Sequence, residues 1–415
     1  MRRAYHAMRS GKGGPVLVEI PAEVWEAEYA GELDYAPVAV QRAAPDPEAV
    51  KTAVRMLLAA KHPLLLAGQG VLYAEASDRL AALAERIPAP VITTNPGKSA
   101  IPESHPLALG ASTRSRPKMV TAFMAKADLV LAIGSSLTRT PFGPGVPPGK
   151  TIIHSTNDAA DINKEYRVDH AVIGDAALVL DAVIAEIGRQ KGTGGANALA
   201  SLKEEVAAAK KEWLAEWAKH LDSEEMPINQ YRVIRDLMRN VHRDNVIITH
   251  DSGSPREQLI PFWETTAPGS YMGWGKSTQL GYGLGITMGA KLAAPEKLCV
   301  NIMGDASIGM TGMDIETAAR NRIAILTIVF NNGVMAAERD VLELSTKKYG
   351  ALTIGGNYTK VAEGLNVAAM RVEKPGDIAP AIKAAVRVTE SGAPFLLEIL
   401  VKEGYDFSRY PLAGL

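Results

Sequence analysis

A carboxylate behind a turn glycine and a pair of amides one crossover later are the residues of this 415-residue chain best suited to chemistry. Residues 304–332 read GDASIGMTGMDIETAARNRIAILTIVFNN, with Gly304 and Asp305 at one end and Asn332 at the other. Asp305, the side-chain carbonyl of Asn332 and a nearby backbone carbonyl are hard oxygen donors of the kind that hold a divalent cation carrying phosphates. Asp305 and Asn332 stand 332 − 305 = 27 residues apart. That is room for a strand, an amphipathic helix and a strand returning to the same edge of a parallel sheet, the edge where open α/β sheets bind ligands. The competing reading is an ordinary βαβ unit whose aspartate caps the helix and whose amides make a turn.

Two further stretches invite a ligand. NVIITHDSGSPREQ, residues 245–258, is a strand running into a polar turn, with Asp251, Gly253 and Ser254 at its end; Pro255 offers no donor. His250 there reads either as an acid or base or as a strand-end residue. GWGKSTQLGYGLGITMGAKLAA, residues 273–294, places glycines where a helix starts against a strand, so that backbone can approach a ligand or a neighbouring element. It is a poor dinucleotide fingerprint, because the glycines do not sit at a strand-to-helix turn with an acidic residue about 20 positions on. Arg139, after another apolar run, could meet a phosphate or be a surface charge.

The elements that must position these groups alternate. DPEAVKTAVRMLLAAK and EASDRLAALAERI have helical period, and PLLLAG, APVITT, ADLVLAIG and KTIIHST read as strands. A second alternating block begins near residue 227, with NVIITHD, LCVNIMGD, ILTIVFNN, AAMRVEK and FLLEILV as its strands. The fold class is therefore α/β, with two doubly wound parallel-sheet domains. The expected division is residues 1–45, one orphan helix with a short buried strand PVLVEI; 46–190, a first domain; 191–226, a linker (best placed at 190–200) and a charged helix; and 227–415, a second domain. Trp213 and Trp217, four apart on that helix, read as packing residues. Cys299 reads as a buried strand residue. The tail KEGYDFSRYPLAGL offers Tyr405, Arg409 and Tyr410 as covers for a site, with a surface end as the preferred reading. A net charge of −1 gives no attraction to nucleic acid or anionic membrane. With no apolar run of about 18 residues and no secretory leader, the expected location is the cytoplasm.

The 304–332 segment resembles the diphosphate and metal motif of thiamine diphosphate enzymes, which begins Gly-Asp-Gly and ends Asn-Asn; Ala306 stands where that family has its second glycine. The whole chain is similar to the central, Rossmann-like domain and the C-terminal thiamine diphosphate-binding domain of acetolactate synthase-like members. The resemblance implies Mg2+ on Asp305, Asn332 and the Val334 carbonyl. It implies a cofactor-binding set of Asp251, Gly253, Ser254, Thr278, Gln279, Leu280, Gly304, Ala306, Ser307, Asn332, Val334 and Met335. Leu280 would impose the bent cofactor conformation and the Thr278 carbonyl would receive the aminopyrimidine. TTNPGKSAIPESHPLALG, residues 93–110, supports the identity of the central domain, which in relatives binds FAD, ADP and CoA, or nothing. RRAYHAMRSGKGGPVLVEIPAEV matches only the end of the family's pyrimidine-binding domain, where the activating glutamate lies. A separate subunit supplying that domain is then expected, in a homo- or hetero-oligomer. The activity implied is carboligation or decarboxylation of a small 2-oxo acid. A 2-hydroxyacyl-CoA lyase or oxalyl-CoA decarboxylase-like subunit is the alternative, and a non-catalytic cofactor-binding or regulatory subunit is the reading of another class.

Overall fold

Short apolar runs separated by helical stretches fold into two six-stranded, all-parallel sheets. The computed structural model describes every residue except 33, 141, 142, 144, 191–195, 274–278, 405 and 413–415. The first sheet comprises β1 (Pro63–Ala67), β2 (Val91–Thr93), β3 (Ala108–Ala111), β4 (Leu129–Ile133), β5 (Thr151–Thr156) and β6 (His170–Ile173), in the order β3-β2-β1-β4-β5-β6. Helices Pro47–Ala59, Ser77–Arg86 and Ala176–Arg189 cover one face, their apolar stripes meeting Leu65, Leu131 and Ile153. Asp46 caps the first of them, accepting from the Glu48 amide at 2.8 Å, with Pro47 pre-set at its first turn.

The second sheet comprises β7 (Val246–His250), β8 (Tyr271–Met272), β9 (Leu298–Gly304), β10 (Ile325–Asn331), β11 (Ala368–Val372) and β12 (Phe395–Leu400), in the order β11-β12-β10-β9-β7-β8. The chain runs outward from β7 to β8 and then crosses to β9 on the other side of β7, so the order reverses between β7 and β9. A crevice opens at such a point beyond the carboxyl ends of the strands. Register brings the ligand-bearing ends level: Phe330 pairs with Gly304, and His250 with Ile302.

Helix Ala196–Leu221 joins the two sheets in one apolar core. Trp213 stacks on Phe262 with centroids 4.8 Å apart, and Trp217 meets Tyr231 edge-on at 4.9 Å. This is the packing role expected from their spacing. A buried clip adds a polar connection. Lys98, 1% exposed, is bonded to Glu103, whose Oε2 accepts from the Thr265 amide at 2.9 Å in the second domain.

Several local expectations are corrected. Residues 15–20 (PVLVEI) form no strand, and residues 15–19 are exposed, Leu17 at 89%, because among the described residues no strand lies beside them to pair with. The crossover helix after Asp305 is broken into Asp305–Thr311, a 3-10 turn Gly312–Asp314 and Ile315–Arg320, as the poor helix formers Gly309, Thr311 and Gly312 dictate. Residues 191–195 of the expected linker lie outside the described residues, and helix Ala196–Leu221 occupies its second half. Among the described residues no helix is long and apolar enough to cross a membrane.

Candidate functional site

β7 delivers Asp251 to the crevice, and the carboxylate there is consumed by the protein itself. Its Oδ1 accepts from the Ser252 amide at 2.7 Å, the Gly281 amide at 2.9 Å and the Ser307 hydroxyl at 2.8 Å, while Oδ2 accepts from the Gly283 amide at 2.9 Å. Asp251 thus ties the end of β7 to the start of helix Tyr282–Ala293 and to the turn after β9. The Gly-rich stretch is what lets backbone come this close. Gly281 sits at φ +92, where a Cβ would lie 2.3 Å from Thr311 Cγ2, and a Cβ on Gly283 would lie 2.5 Å from Asn301 Oδ1. Asp251 therefore positions the site rather than facing it, and the Ser307 hydroxyl donates its hydrogen bond to Asp251.

His250, completely buried, has Nδ1 3.0 Å from the Asp251 carbonyl and 3.3 Å from the Tyr282 hydroxyl, with Nε2 3.4 Å from Asn95 Nδ2. Burial pushes its pKa down to about 3, so the ring is neutral, and it does not line the cavity. Its surroundings fit a strand-end residue.

Asp305 begins the motif at 3% exposure. Its Oδ1 accepts from the Ala306 amide at 2.8 Å, and its Oδ2 from the Asn332 and Gly333 amides at 3.0 and 2.7 Å. Burial raises its pKa, and the three N–H donors oppose that shift. These bonds close the 27-residue crossover onto itself. Asn332 Oδ1 accepts from the Val334 amide at 3.1 Å, and the Val334 carbonyl accepts from the Ala336 amide at 2.9 Å. The other amide turns away: Asn331 donates to buried Glu398 at 2.7 Å. Ala306 lies in helix Asp305–Thr311, so its turn has no need of a glycine.

A cavity of about 560 Å³ opens over these strand ends. Of the expected residues, Gly253, Ser254, Leu280, Gly304, Asp305, Ala306, Ser307, Asn332, Val334 and Met335 line it. Gln279 is exposed and stands outside it, and Thr278 lies outside the described residues. Sequence reasoning missed Gln258, four residues after Ser254 on the same helix face, a spacing that could have revealed it. It also missed Arg256 and Glu257, on that same helix, and Arg114 and Phe407, which reach the cavity only through tertiary packing. The tail is not a free surface end. Ser408 is completely buried and accepts from Trp213 Nε1 at 3.2 Å, Arg409 lines the cavity, and Tyr410 binds Trp217 at 3.0 Å instead of covering the site. Tyr405 lies outside the described residues. Cys299 is buried in β9, its thiol pushed up to about 11 by burial, and Arg139 lies over the Tyr166 ring at 5.7 Å.

The donor set can be tested against a metal and a phosphate ligand. Among the described residues no three His, Cys, Asp or Glu side chains gather as a protein cage. One carboxylate, one amide and one carbonyl suit Mg2+, which takes few protein ligands and completes its shell with phosphate and water. The Ser254 hydroxyl and the Gln258 side-chain amide are buried on the cavity with no protein partner among the described residues, and the hydroxyl and the Nε2–H groups are the donors that a ligand with acceptor oxygens would require.

Comparison with known proteins agrees with this geometry. Residues 50–183 match the thiamine pyrophosphate enzyme central domain, and residues 251–399 match the thiamine pyrophosphate enzyme C-terminal TPP binding domain. A probable acetolactate synthase large subunit from Methanococcus aeolicus is 28% identical over 99% of this chain and 71% of its own length. A glyoxylate carboligase from Escherichia coli O157:H7 is 26% identical over 98% of the chain and 71% of its own length. Benzoylformate decarboxylase from Polynucleobacter necessarius shares the fold, with a TM-score of 0.77 at 21% identity over 99% of this chain and 74% of its own. The chain belongs to the thiamine pyrophosphate enzymes, and carries their central domain and their C-terminal TPP-binding domain.

Proposed function

We propose that this chain is the diphosphate-binding part of a Mg2+-assisted carboligase or decarboxylase of 2-oxo acids, whose activating glutamate comes from a pyrimidine-binding domain on a partner chain. The observation that carries the reading is the cavity at the β7/β9 switch point, where Asp305, Asn332 and Val334 stand beside the unpartnered Ser254 and Gln258. Asp305, Asn332 and the Val334 carbonyl would hold the metal, and Ser254 and Gln258 the phosphate oxygens. When bound, thiamine diphosphate supplies an electron sink for making or breaking the bond next to a carbonyl carbon.

The chain's own residues then do three things. Asp251 fixes the relative places of residues 281–283 and 307 before any ligand arrives, so little reorganisation is needed on binding. Leu280 gives the cavity an apolar wall against which a ring can bend. Glu257, the carboxylate that helix Ser254–Phe262 brings to the cavity, is engaged by Ser115 at 2.6 Å and Arg256 at 3.2 Å. A proton-handling glutamate from another chain fits that situation. Exposed Val16, Leu17, Val18, Val24 and Trp25 offer such a partner an apolar seat.

The test is turnover. The complex purified with its native partner should consume a 2-oxo acid only when thiamine diphosphate and Mg2+ are both present, and Asp305→Ala in this chain should lower kcat/KM at least ~100-fold. Turnover that ignores Mg2+ or survives Asp305→Ala would sink the proposal.

A further inference from the structure

The cavity wall contributed by the central domain and the tail carries charge that the cofactor reading leaves unused. Arg114, just beyond β3, and Arg409, in the tail, both line the cavity. Among the described residues neither guanidinium is hydrogen-bonded or ion-paired; Arg409 rests only on the Phe407 ring, at 4.5 Å. Burial, and after it the repulsion of Arg114, lowers the pKa of Arg409 against the weaker pull of Glu257, Tyr231 and Asp340. Glu257 cannot neutralise them fully, since Ser115 and Arg256 already bind its oxygens. Two residues after Arg114, Arg116 has Nε and Nη1 buried with no partner among the described residues, and burial brings its pKa down to about 10. Arg114 and Arg409 are exposed on the cavity wall, and two guanidiniums there without a carboxylate of their own are placed to receive an anion entering from solvent.

We propose that Arg114 and Arg409 form a subsite for a second anionic group on the substrate, a carboxylate or phosphonate remote from its 2-oxo acid function. This rests on the 2-oxo acid reading above and narrows it to dianionic substrates. The guanidinium fork matches both carboxylate and phosphonate oxygens. An apolar substituent offers neither guanidinium an oxygen, so the subsite discriminates by charge.

The test is calorimetric titration of the full chain, with and without thiamine diphosphate and Mg2+, using 2-oxoglutarate, 3-phosphonopyruvate and the monoanion 2-oxopentanoate. Both dianions should bind ~10-fold or more tightly than the monoanion. Arg114→Gln and Arg409→Gln should each remove about 10-fold of that preference, and leave the 2-oxopentanoate and thiamine diphosphate affinities within roughly twofold. Arg114 is exposed, so its replacement spares the fold, and Arg114→Lys should restore part of the preference. Equal affinity for dianion and monoanion, or a preference that survives both substitutions, overturns the subsite. A wild-type chain that binds no thiamine diphosphate but keeps an Arg114-dependent preference for dianions overturns the cofactor reading instead. The stronger of the two dianions identifies the remote group.

Discussion

The Asp251 carboxylate accepts hydrogen bonds from Ser252, Gly281, Gly283 and Ser307, and an amide in its place turns one acceptor into a donor aimed at N–H groups. Asp251→Asn should cost roughly 2–4 kcal/mol of stability in urea unfolding and weaken thiamine diphosphate binding as well; unchanged stability would show that the carboxylate does not join these segments. Its neighbour His250 makes a pH prediction. Its folded pKa of about 3 lies below the ordinary 6.5. The unfolded chain therefore binds the proton first, and the contribution of the neutral ring is complete above pH 6.5 and lost progressively towards pH 3. Between pH 7 and pH 5 the wild type should lose about 2 kcal/mol more than His250→Gln. His154 is also lowered by burial, so part of the slope should remain in the variant. Parallel stability curves for the two proteins would contradict the assignment.

At the scale of elements, the start of helix Tyr282–Ala293 decides whether the site forms. Gly281→Ala must both adopt φ +92 and displace Thr311, a loss of about 1–3 kcal/mol. Gly285, exposed inside the same helix with open space around its Cβ, should gain about 0.5–1 kcal/mol as alanine. Thermal unfolding of the two variants should move in opposite directions, and a common direction would show that helix propensity rather than close approach governs this stretch. The strands that deliver the site were legible, because buried parallel strands are continuous apolar runs and the Asp305 to Asn332 spacing matches one crossover. β3, β6 and β8 were not, being short and bounded by polar residues such as Thr113, Asp169 and Ser270. The inward turn of Asn331 was also hidden, since it depends on Glu398, 67 residues away. Arg114 and Arg409 reach the cavity only through the docking of one domain on the other, a relation that no local pattern carries.

Across the whole molecule, the Lys98 and Glu103 pair, through the Thr265 amide, adds a polar tie to the apolar core that joins the two domains and the cavity they share. Removing one partner leaves a charge in the interior: Lys98, its pKa already lowered by burial, lies 5.5 Å from the Tyr271 ring centroid with no other carboxylate bonded to it among the described residues. Glu103→Ala should therefore cost about 3–5 kcal/mol and separate the unfolding of the two domains into two calorimetric transitions; a single transition at the wild-type temperature would contradict this. The measurement that bears most directly on the central claim is calorimetric titration of the full chain with thiamine diphosphate, with and without Mg2+, beside the Asp305→Ala variant. The site described here predicts one saturable site that weakens at least ~100-fold when Mg2+ is chelated or Asp305 is replaced. Binding that is absent, or indifferent to both Mg2+ and Asp305, would show that the cavity at the β7/β9 switch point is not the diphosphate site.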